Sequence, residues 1–193
     1  MGRGDSVRED AVGARSQTSA VYVQGIVNTL PESCQRLWRD HLQAMQTAPG
    51  SARKHQAWEG GYQDHLAEIF SLAEMLYNDF DSKRPLPFSL TSANLVLFLH
   101  DSEKPFKYTE TTPFPDAPEL AAKDPHAFKD RLIEHYGIAL DDEQLNALKY
   151  VHGEGDDYSR DRVMGPLAVF CHSCDILSAR LWFDEPRASG PLS

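Results

Sequence analysis

Two histidines and two aspartates are the residues of this sequence best suited to bind a metal ion. His65 lies near the start of one predicted helix, and Asp175 lies within the last one. His100 and Asp101 follow each other at the end of a third predicted helix. Imidazole nitrogens with carboxylate oxygens suit a borderline or hard divalent ion, and side chains from three helices can converge inside a bundle. We therefore expect a divalent metal cofactor, and these ligand types are compatible with manganese, iron, cobalt, nickel, zinc and magnesium.

The position of His100 and Asp101 directly after the apolar run LVLFL is the feature that singles them out. A buried segment that ended in an unpaired carboxylate would be costly, and a bound metal would neutralise that charge. A helix end whose aspartate forms an ordinary salt bridge is the alternative explanation of the same dipeptide. The dipeptide alone is therefore weak evidence for a metal.

The elements that must position these residues are predicted to be helices, because apolar residues recur at three- and four-residue steps along the chain. The predicted helices cover residues 31–48, 62–80, 90–99, 125–135, 143–151 and 163–183. The segment 90–99 could also be a buried strand, but no other segment offers it a strand partner. Residues 105–124 are rich in proline, and we predict an extended surface connection there, long enough to cover a site. The predicted fold class is all-α.

The last predicted helix presents to the core the residues Leu167, Phe170, Cys174, Leu177 and Leu181. It also contains the sequence CHSC, whose cysteine spacing occurs in redox centres. That chemistry needs a cysteine at an exposed helix N-terminus, so we expect Cys171 and Cys174 to be small buried hydrophobes instead. His172, between them, is predicted to be a core histidine, with a supporting role beside Asp175 as the alternative. The remaining histidines on predicted surface faces are His41, His126 and His135.

Length and composition favour one folded domain with two tails. The chain has 193 residues, of which 41% are hydrophobic and 25% charged, which is enough apolar side chain to bury a single core. We predict a flexible tail over residues 1–19, a domain over 20–185 and a second flexible tail over 186–193. The formal net charge of -10 disfavours long nucleic acids as partners, because the protein's field repels a phosphate backbone.

The cysteine count and the hydropathy of the chain favour the cytoplasm. Three cysteines cannot all pair, and a chain of this size does not need disulfides, so we expect free thiols in a reducing compartment. No apolar run approaches the length of a membrane span, so we expect no membrane association. The sequence makes no prediction about the oligomeric state.

Three segments resemble the ordered H, HD and D signatures of the HD-domain metal-dependent phosphohydrolases. They are GGYQDHLAEIFSLAEML, LVLFLHDSEKP and FCHSCDILSAR, and the resemblance covers roughly residues 54–182. HQAWEGGYQDH is similar to the HHxYxGGLLEH segment of the branch that includes small 3'-to-5' exoribonucleases. YVHGEG lies where that branch has a histidine-glycine pair. The resemblance implies a single helical bundle of the HD-domain type.

The resemblance also implies roles for individual residues. The metal ligands would be His65, His100, Asp101 and Asp175, and a metal-bound water or hydroxide would be the nucleophile. Lys104 matches the lysine that follows HD in the family, and it would act both in catalysis and in binding a phosphate oxygen. Glu103 lies where the family often has glycine. It could accept a proton or hold a ligand water and so join Asp101 and Lys104 as a catalytic residue, or it could face solvent.

Two further histidines are predicted to bind the substrate. His152 lies in the loop HGEGDDYSRDR, and a loop histidine near a metal can add a ligand or polarise a phosphate. The related branch often has two consecutive histidines there, whereas this chain has Val151 and His152. His55 precedes the Gly60-Gly61 break and could line the entrance.

The leading hypothesis is a metal-dependent phosphohydrolase that acts on a small phosphate ester, and we expect a nucleotide. Metal-activated water would attack phosphorus, in a phosphomonoesterase or phosphodiesterase reaction. The alternative within the enzyme class is a 3'-to-5' exonuclease that acts on short oligonucleotides. The alternative from another class is a non-catalytic HD-like module that senses a nucleotide.

Overall fold

A computed structural model describes residues 18–181, and this part of the chain contains helices and no strand. The predicted all-α class is confirmed. After a helix α1 over residues 18–27, the helices are α2 Glu32–Asp40, α3 Leu42–Thr47, α4 Gly61–Lys83, α5 Leu90–Leu99, α6 Lys104–Tyr108, α7 Ala117–Lys123, α8 Pro125–Tyr136, α9 Asp142–Tyr150 and α10 Pro166–Leu181. A short 3-10 helix, Gly155–Asp157, lies between the last two.

The long helix α4 is at the centre of the fold, and it packs against α3, α5 and α10. Twelve residues of its first half are buried, including polar ones, so this half is enclosed on every side. Helix α10 lies against α4, α5 and α9. The three helices α4, α5 and α10 therefore enclose a common interior, and each of them carries part of the predicted metal site.

Helix α5 confirms the prediction of a core helix over residues 90–99. Ser89 begins it by accepting a hydrogen bond from the Ser92 backbone N–H at 3.1 Å. Every residue from Ala93 to Leu99 is buried. Burying apolar side chains contributes about 1.5–3 kcal/mol for each large one, so the LVLFL run holds the end of α5 in the interior. The next two residues, His100 and Asp101, are buried with it.

Helices α8 and α9 also follow their sequence signals. Gly137 ends α8 in the left-handed conformation, with φ 63°, where a residue without a side chain is favoured. Asp141 begins α9 with a capping box, in which its side chain accepts from the Gln144 backbone N–H at 2.8 Å. These caps lie where the glycine and the aspartate pair predicted the end of one helix and the start of the next.

The prediction of one helix over residues 31–48 is wrong, because the chain turns at His41 and forms two helices. The prediction that His41 faces solvent is also wrong. Its Nε2 lies 2.8 Å from the hydroxyl of Tyr136, and its ring contacts Phe106 edge-on with a centroid distance of 4.8 Å. The turn points the imidazole into the interior, where it joins α2 to α8.

The prediction of an extended connection over residues 105–124 is wrong as well, since this segment contains α6 and α7. Pro105 and Pro118 lie in the first turns of these helices. A missing backbone N–H costs nothing at that position, because the first turn has no acceptor for it within the helix. The prolines therefore mark helix starts rather than the absence of helix.

Helix α10 buries most of the face that the sequence predicts. Leu167, Phe170 and Cys174 are buried, but Leu181 is 60% exposed, so its predicted place in the core is wrong. Cys171 and Cys174 are buried free thiols, as predicted, and burial raises the pKa of Cys174 to about 12. A thiol that stays protonated at neutral pH is a poor nucleophile and a poor metal ligand.

The predicted tails fall almost wholly outside the described residues, and only residues 18 and 19 of the first tail are described, as part of α1. The domain boundaries at 20 and 185 stay predictions. Within residues 18–181, no helix has both the length and the apolar composition that a membrane span needs.

Candidate metal centre

The four predicted metal ligands lie together in the interior between α4, α5 and α10. His65 lies in the second turn of α4, and His100 and Asp101 directly follow α5. Asp175 lies in the middle of α10. Each of the four offers one ligand atom, and these atoms all lie within 4.8 Å of one another. The cluster could therefore hold a metal ion, as the sequence predicts.

The individual distances show how closely the ligand atoms converge. The Nε2 atoms of His65 and His100 are 3.2 Å apart. His65 Nε2 lies 3.4 Å from Asp175 Oδ1 and 3.6 Å from Asp101 Oδ2. His100 Nε2 lies 3.2 Å from Asp101 Oδ2 and 3.6 Å from Asp175 Oδ1. Two nitrogens and two oxygens thus surround one small volume.

The hydrogen bond made by Nδ1 of each histidine decides whether Nε2, the nitrogen that faces this volume, is a donor or an acceptor. His100 Nδ1 lies 2.7 Å from the carbonyl oxygen of Leu97, which can only accept, so this nitrogen carries a proton and donates it. His65 Nδ1 lies 3.0 Å from Ser178 Oγ. The Ser178 hydroxyl donates to Glu68 at 2.6 Å, so its oxygen accepts from His65. In their neutral forms both rings therefore point the Nε2 lone pair inward.

The donor set fits a divalent cation. In the neutral forms of both rings, two inward lone pairs 3.2 Å apart would repel each other, and two carboxylate oxygens beside them add negative charge. A cation among the four converts this repulsion into attraction. Fixing the outer ring nitrogen of a ligating histidine is also how metal sites hold the ring in place. Nitrogen and carboxylate ligation leaves the choice among the six predicted metals open.

The charges around the cluster keep both carboxylates ionised. Burial alone would raise the pKa of Asp101, but His100 and the Lys104 ammonium hold it well below its usual range. Burial acts on the pKa of Asp175 in the same direction, and the facing imidazoles of His100 and His65 hold it below its usual range. Two negative charges thus face the two imidazoles at neutral pH.

The two histidines respond in opposite ways to this environment. Burial lowers the pKa of His65. Burial also acts to lower the pKa of His100, but the carboxylates of Asp101 and Asp175 outweigh it and raise that pKa to about 10. The carboxylates therefore hold a proton on His100 at neutral pH, and a divalent ion must displace that proton to bind.

Lys104 lies beside the cluster rather than on the surface. Its ammonium contacts Asp101 Oδ2, and its side chain is 13% exposed. Burial acts to lower the pKa of Lys104, and the Asp101 carboxylate outweighs it and raises that pKa. The lysine is therefore a buried partner of a predicted metal ligand. Its catalytic and substrate-binding roles stay predictions.

Glu103 is also buried, with 7% of the residue exposed, which excludes the alternative that it faces solvent. Its Oε2 has no hydrogen-bond partner among the described residues. Burial, with Asp101 nearby, raises the pKa of its carboxyl, while the positive charges of Lys129 and Lys104 oppose that rise. The catalytic role of Glu103 stays a prediction.

His152 lies at the exposed side of the cluster. Its Nε2 is 3.4 Å from Asp101 Oδ1 and 4.0 Å from Asp175 Oδ2, and 45% of its side chain is exposed. His172 supports this loop, because its Nδ1 lies 2.7 Å from the carbonyl oxygen of Val151. His172 is half-buried, so its predicted place in the core is met only in part, and its alternative role beside Asp175 stays a prediction.

His55 faces the cluster from the loop that precedes α4. Its ring lies 5.6 Å from the ring of His65, measured between centroids. Burial, together with the neighbouring His65 imidazole and Lys104 ammonium, lowers the pKa of His55 to about 4. The ring is therefore neutral at pH 7, where it can donate or accept a hydrogen bond but carries no charge.

Four supporting residues were not predicted from the sequence. Glu68 and Ser178 follow the ligands His65 and Asp175 by three residues, a spacing that places side chains on one helix face. That spacing is the signal that could have found them. Lys129 donates to the backbone carbonyl of His100 at 2.7 Å, and Gln56 hydrogen-bonds Glu68 at 2.6 Å. No sequence spacing connects these last two to the site.

No protein-family model matches the chain, and no curated protein or solved structure is significantly similar to it.

Proposed function

We propose that this protein is a metal-dependent phosphohydrolase of the HD-domain type, and that it hydrolyses a small phosphate ester, a nucleotide. The observation that carries the proposal is the convergence of four ligand atoms, all within 4.8 Å, from three helices in the order H, HD, D. Both imidazoles point Nε2 into the cluster. This combination of order, burial and orientation is what a divalent site of this class requires.

Each residue of the cluster has a role in the proposed reaction. The residues that would hold the ion are His65, His100, Asp101 and Asp175. When bound, such an ion supplies a water of lowered pKa and a positive charge for a phosphoryl oxygen. Lys104 can share its ammonium between Asp101 and a phosphate oxygen, because it already lies against the ligand set. His152, half exposed beside Asp101, can donate a hydrogen bond to the substrate from the open side.

The charge of the chain supports a small substrate. The formal net charge is -10, and the loop after His152 contains Glu154, Asp156 and Asp157, of which Asp157 pairs with Lys149 at 2.7 Å. An extended polyanion would pass these carboxylates, whereas a nucleotide would occupy only the cluster and its immediate rim. A short oligonucleotide is the second candidate substrate, because the sequence resembles the exoribonuclease branch.

A phosphate-release screen tests the proposal. Purified protein is incubated with Mn²⁺ and a panel of mononucleotides, and in parallel with a short labelled oligonucleotide. We expect phosphate release from at least one mononucleotide and its loss with a chelator. If the oligonucleotide is shortened while the mononucleotides stay intact, the second candidate substrate replaces the proposed one. No hydrolysis of either substrate, together with tight nucleotide binding, would favour the non-catalytic module.

Replacing Lys104 with alanine is expected to lower kcat/KM by roughly 5- to 150-fold. Hydrogen bonds to charged groups contribute about 1–3 kcal/mol, which corresponds to that range. The metal content should stay unchanged, because Lys104 is not a ligand atom of the cluster. Lys107→Ala is the matched control, since Lys107 is exposed on the same helix α6. Steady-state kinetics with the metal measured on the same preparation decide the question. Wild-type kinetics in Lys104→Ala would remove this lysine from the site.

A further inference from the structure

The loop between α3 and α4 contains a buried residue with an unusual backbone conformation. Gln56 has φ 46°, and it is the only residue other than glycine with a positive φ in the described part of the chain. Such a conformation is disfavoured for a residue with a side chain and persists when surrounding contacts enforce it. The Gln56 side chain is not free in solvent, because only 7% of the residue is exposed.

Backbone contacts fix the conformation of this residue. The carbonyl oxygen of Gln56 accepts a hydrogen bond from the Gly50 backbone N–H at 2.9 Å. The same carbonyl lies so close to Gly61 that a Cβ at that glycine would be 1.9 Å from it. Gly61 is the first residue of α4, so the loop is pressed against the start of the helix that carries His65. The result is a loop that turns the Gln56 side chain inward.

The Gln56 side chain contacts Glu68 and Ser178, the residues that support His65. Its Nε2 donates to Glu68 Oε2 at 2.6 Å and lies 3.4 Å from Ser178 Oγ. Ser178 donates its hydroxyl proton to the same oxygen of Glu68, also at 2.6 Å. Ser178 Oγ then faces His65 Nδ1 at 3.0 Å. Glu68 and Ser178 are each 1% exposed, so bulk solvent does not reach these hydrogen bonds.

We propose that Gln56, Glu68 and Ser178 form a positioning unit that fixes the tautomer and orientation of His65. A serine hydroxyl can donate one hydrogen bond, and Glu68 accepts it. Ser178 must therefore accept from His65, which places the histidine proton on Nδ1 and leaves Nε2 free to face the cluster. Without Glu68 as the acceptor, the hydroxyl could donate to Nδ1 instead, and the proton of His65 would move to Nε2, where it would block a metal.

Gln56 contributes by holding the acceptor in place. Its amide N–H compensates a buried carboxylate and directs Oε2 of Glu68 towards Ser178. The loop that carries His55 is thereby tied to a predicted ligand on α4 and to α10. This inference rests on the proposed metal function, since the position of His65 matters to a metal only if the cluster binds one.

Metal affinity of matched variants is the first test. Co²⁺ is titrated into metal-free protein, and binding is followed by calorimetry and by the Co²⁺ absorption spectrum. Ser178→Ala and Gln56→Gly are expected to bind Co²⁺ about 10- to 100-fold more weakly, the range for lost outer partners of a ligating histidine. Gln56→Gly removes the side chain but suits the positive φ, so the loop backbone is not strained by the change. The Tm of each variant, measured beside its affinity, reports the stability lost with the hydrogen bond to Glu68.

Two further variants separate positioning from general damage. Ser178→Thr keeps the hydroxyl and should retain the affinity within about threefold of the wild type, well short of the loss expected without the hydroxyl. Ser173→Ala, on the same helix α10, removes an exposed hydroxyl that donates to the Val169 carbonyl at 2.8 Å, and it should leave Co²⁺ binding unchanged. Unchanged Co²⁺ affinity in both Ser178→Ala and Gln56→Gly would overturn the inference.

The tautomer of His65 gives a second readout that needs no metal. Ring-nitrogen NMR of the metal-free protein is expected to show His65 protonated on Nδ1, and Ser178→Ala and Glu68→Leu, which removes the acceptor of the Ser178 hydroxyl, should shift the proton towards Nε2. An unchanged tautomer in both variants would contradict the positioning role, whatever the metal affinity does. A wild-type protein that binds no Co²⁺ would instead overturn the proposed function. The two failures are therefore distinguishable.

Discussion

Asp101→Ala is expected to lose the metal and the phosphohydrolase activity together. Asp101 Oδ2 lies within 3.6 Å of the Nε2 atoms of His65 and His100, the two predicted histidine ligands, and it also contacts Lys104. Losing an outer partner of a metal ligand already costs about 10- to 100-fold in affinity, so loss of a ligand should cost at least about a hundredfold. Metal analysis and phosphate release on the same preparation measure the effect. Wild-type metal content in this variant would contradict the assigned ligand set.

The substitution also leaves a buried ammonium without its carboxylate, which is destabilising by about 3–5 kcal/mol when a buried pair is broken. Asp101→Asn keeps the shape and polarity of the side chain and serves as the second variant. We expect both variants to retain helical circular dichroism, because Asp101 lies between α5 and α6 and neither variant changes a residue within a helix. Asp156→Ala, an exposed carboxylate in the loop after α9, is the control and should keep metal and activity.

A divalent ion is expected to raise the Tm of the protein by about 5–10 °C. A ligand at one hundred times its Kd stabilises the folded state by about 2.7 kcal/mol. For chains of this length, each kcal/mol shifts Tm by about 2–4 °C. The ligand atoms come from three helices, so the ion would join α4, α5 and α10 in the folded state only.

Thermal unfolding with saturating Mn²⁺ and with a chelator measures this shift. Asp175→Asn is the matched variant, because it removes one ligand charge from α10 and should show a much smaller shift. Equal Tm values for the wild type with metal and with chelator would mean that the four side chains hold no ion under these conditions. The shift is a property of binding, so it is independent of the choice of substrate.

The part of the site that sequence could predict is the part encoded locally. LVLFL followed by His100 and Asp101 is a continuous signal, because seven consecutive buried residues of α5 force the next two inside. The helix ends at Gly137 and Asp141 are also local, since one residue in each case supplies the cap. Helical periodicity alone does not identify His65 and Asp175 as ligands. Their prediction also depends on the H, HD, D order of the motifs.

The remainder depends on contacts between segments far apart in the chain. His41 is turned inward by a hydrogen bond to Tyr136, which lies 95 residues later. Gln56 meets Ser178 across 122 residues, and Lys129 meets His100 across 29. Such pairs leave no periodicity in the sequence. The two short helices α6 and α7 escape prediction for a different reason. Prolines favour an extended chain in a sequence, but Pro105 and Pro118 lie in first turns, where a helix tolerates them.

Hydrolysis as a function of added metal is the most direct test of the central claim, which is that the four-residue cluster binds a divalent ion and thereby makes the chain a phosphohydrolase. Metal-free wild-type protein is titrated with Mn²⁺ in the presence of the best mononucleotide from the phosphate-release screen, and bound metal and phosphate release are measured together. We expect the rate to rise from background and to level off as the cluster fills, while Asp101→Asn stays at background throughout. Phosphate release that does not depend on the added metal, or that proceeds at the wild-type rate in Asp101→Asn, would contradict the account.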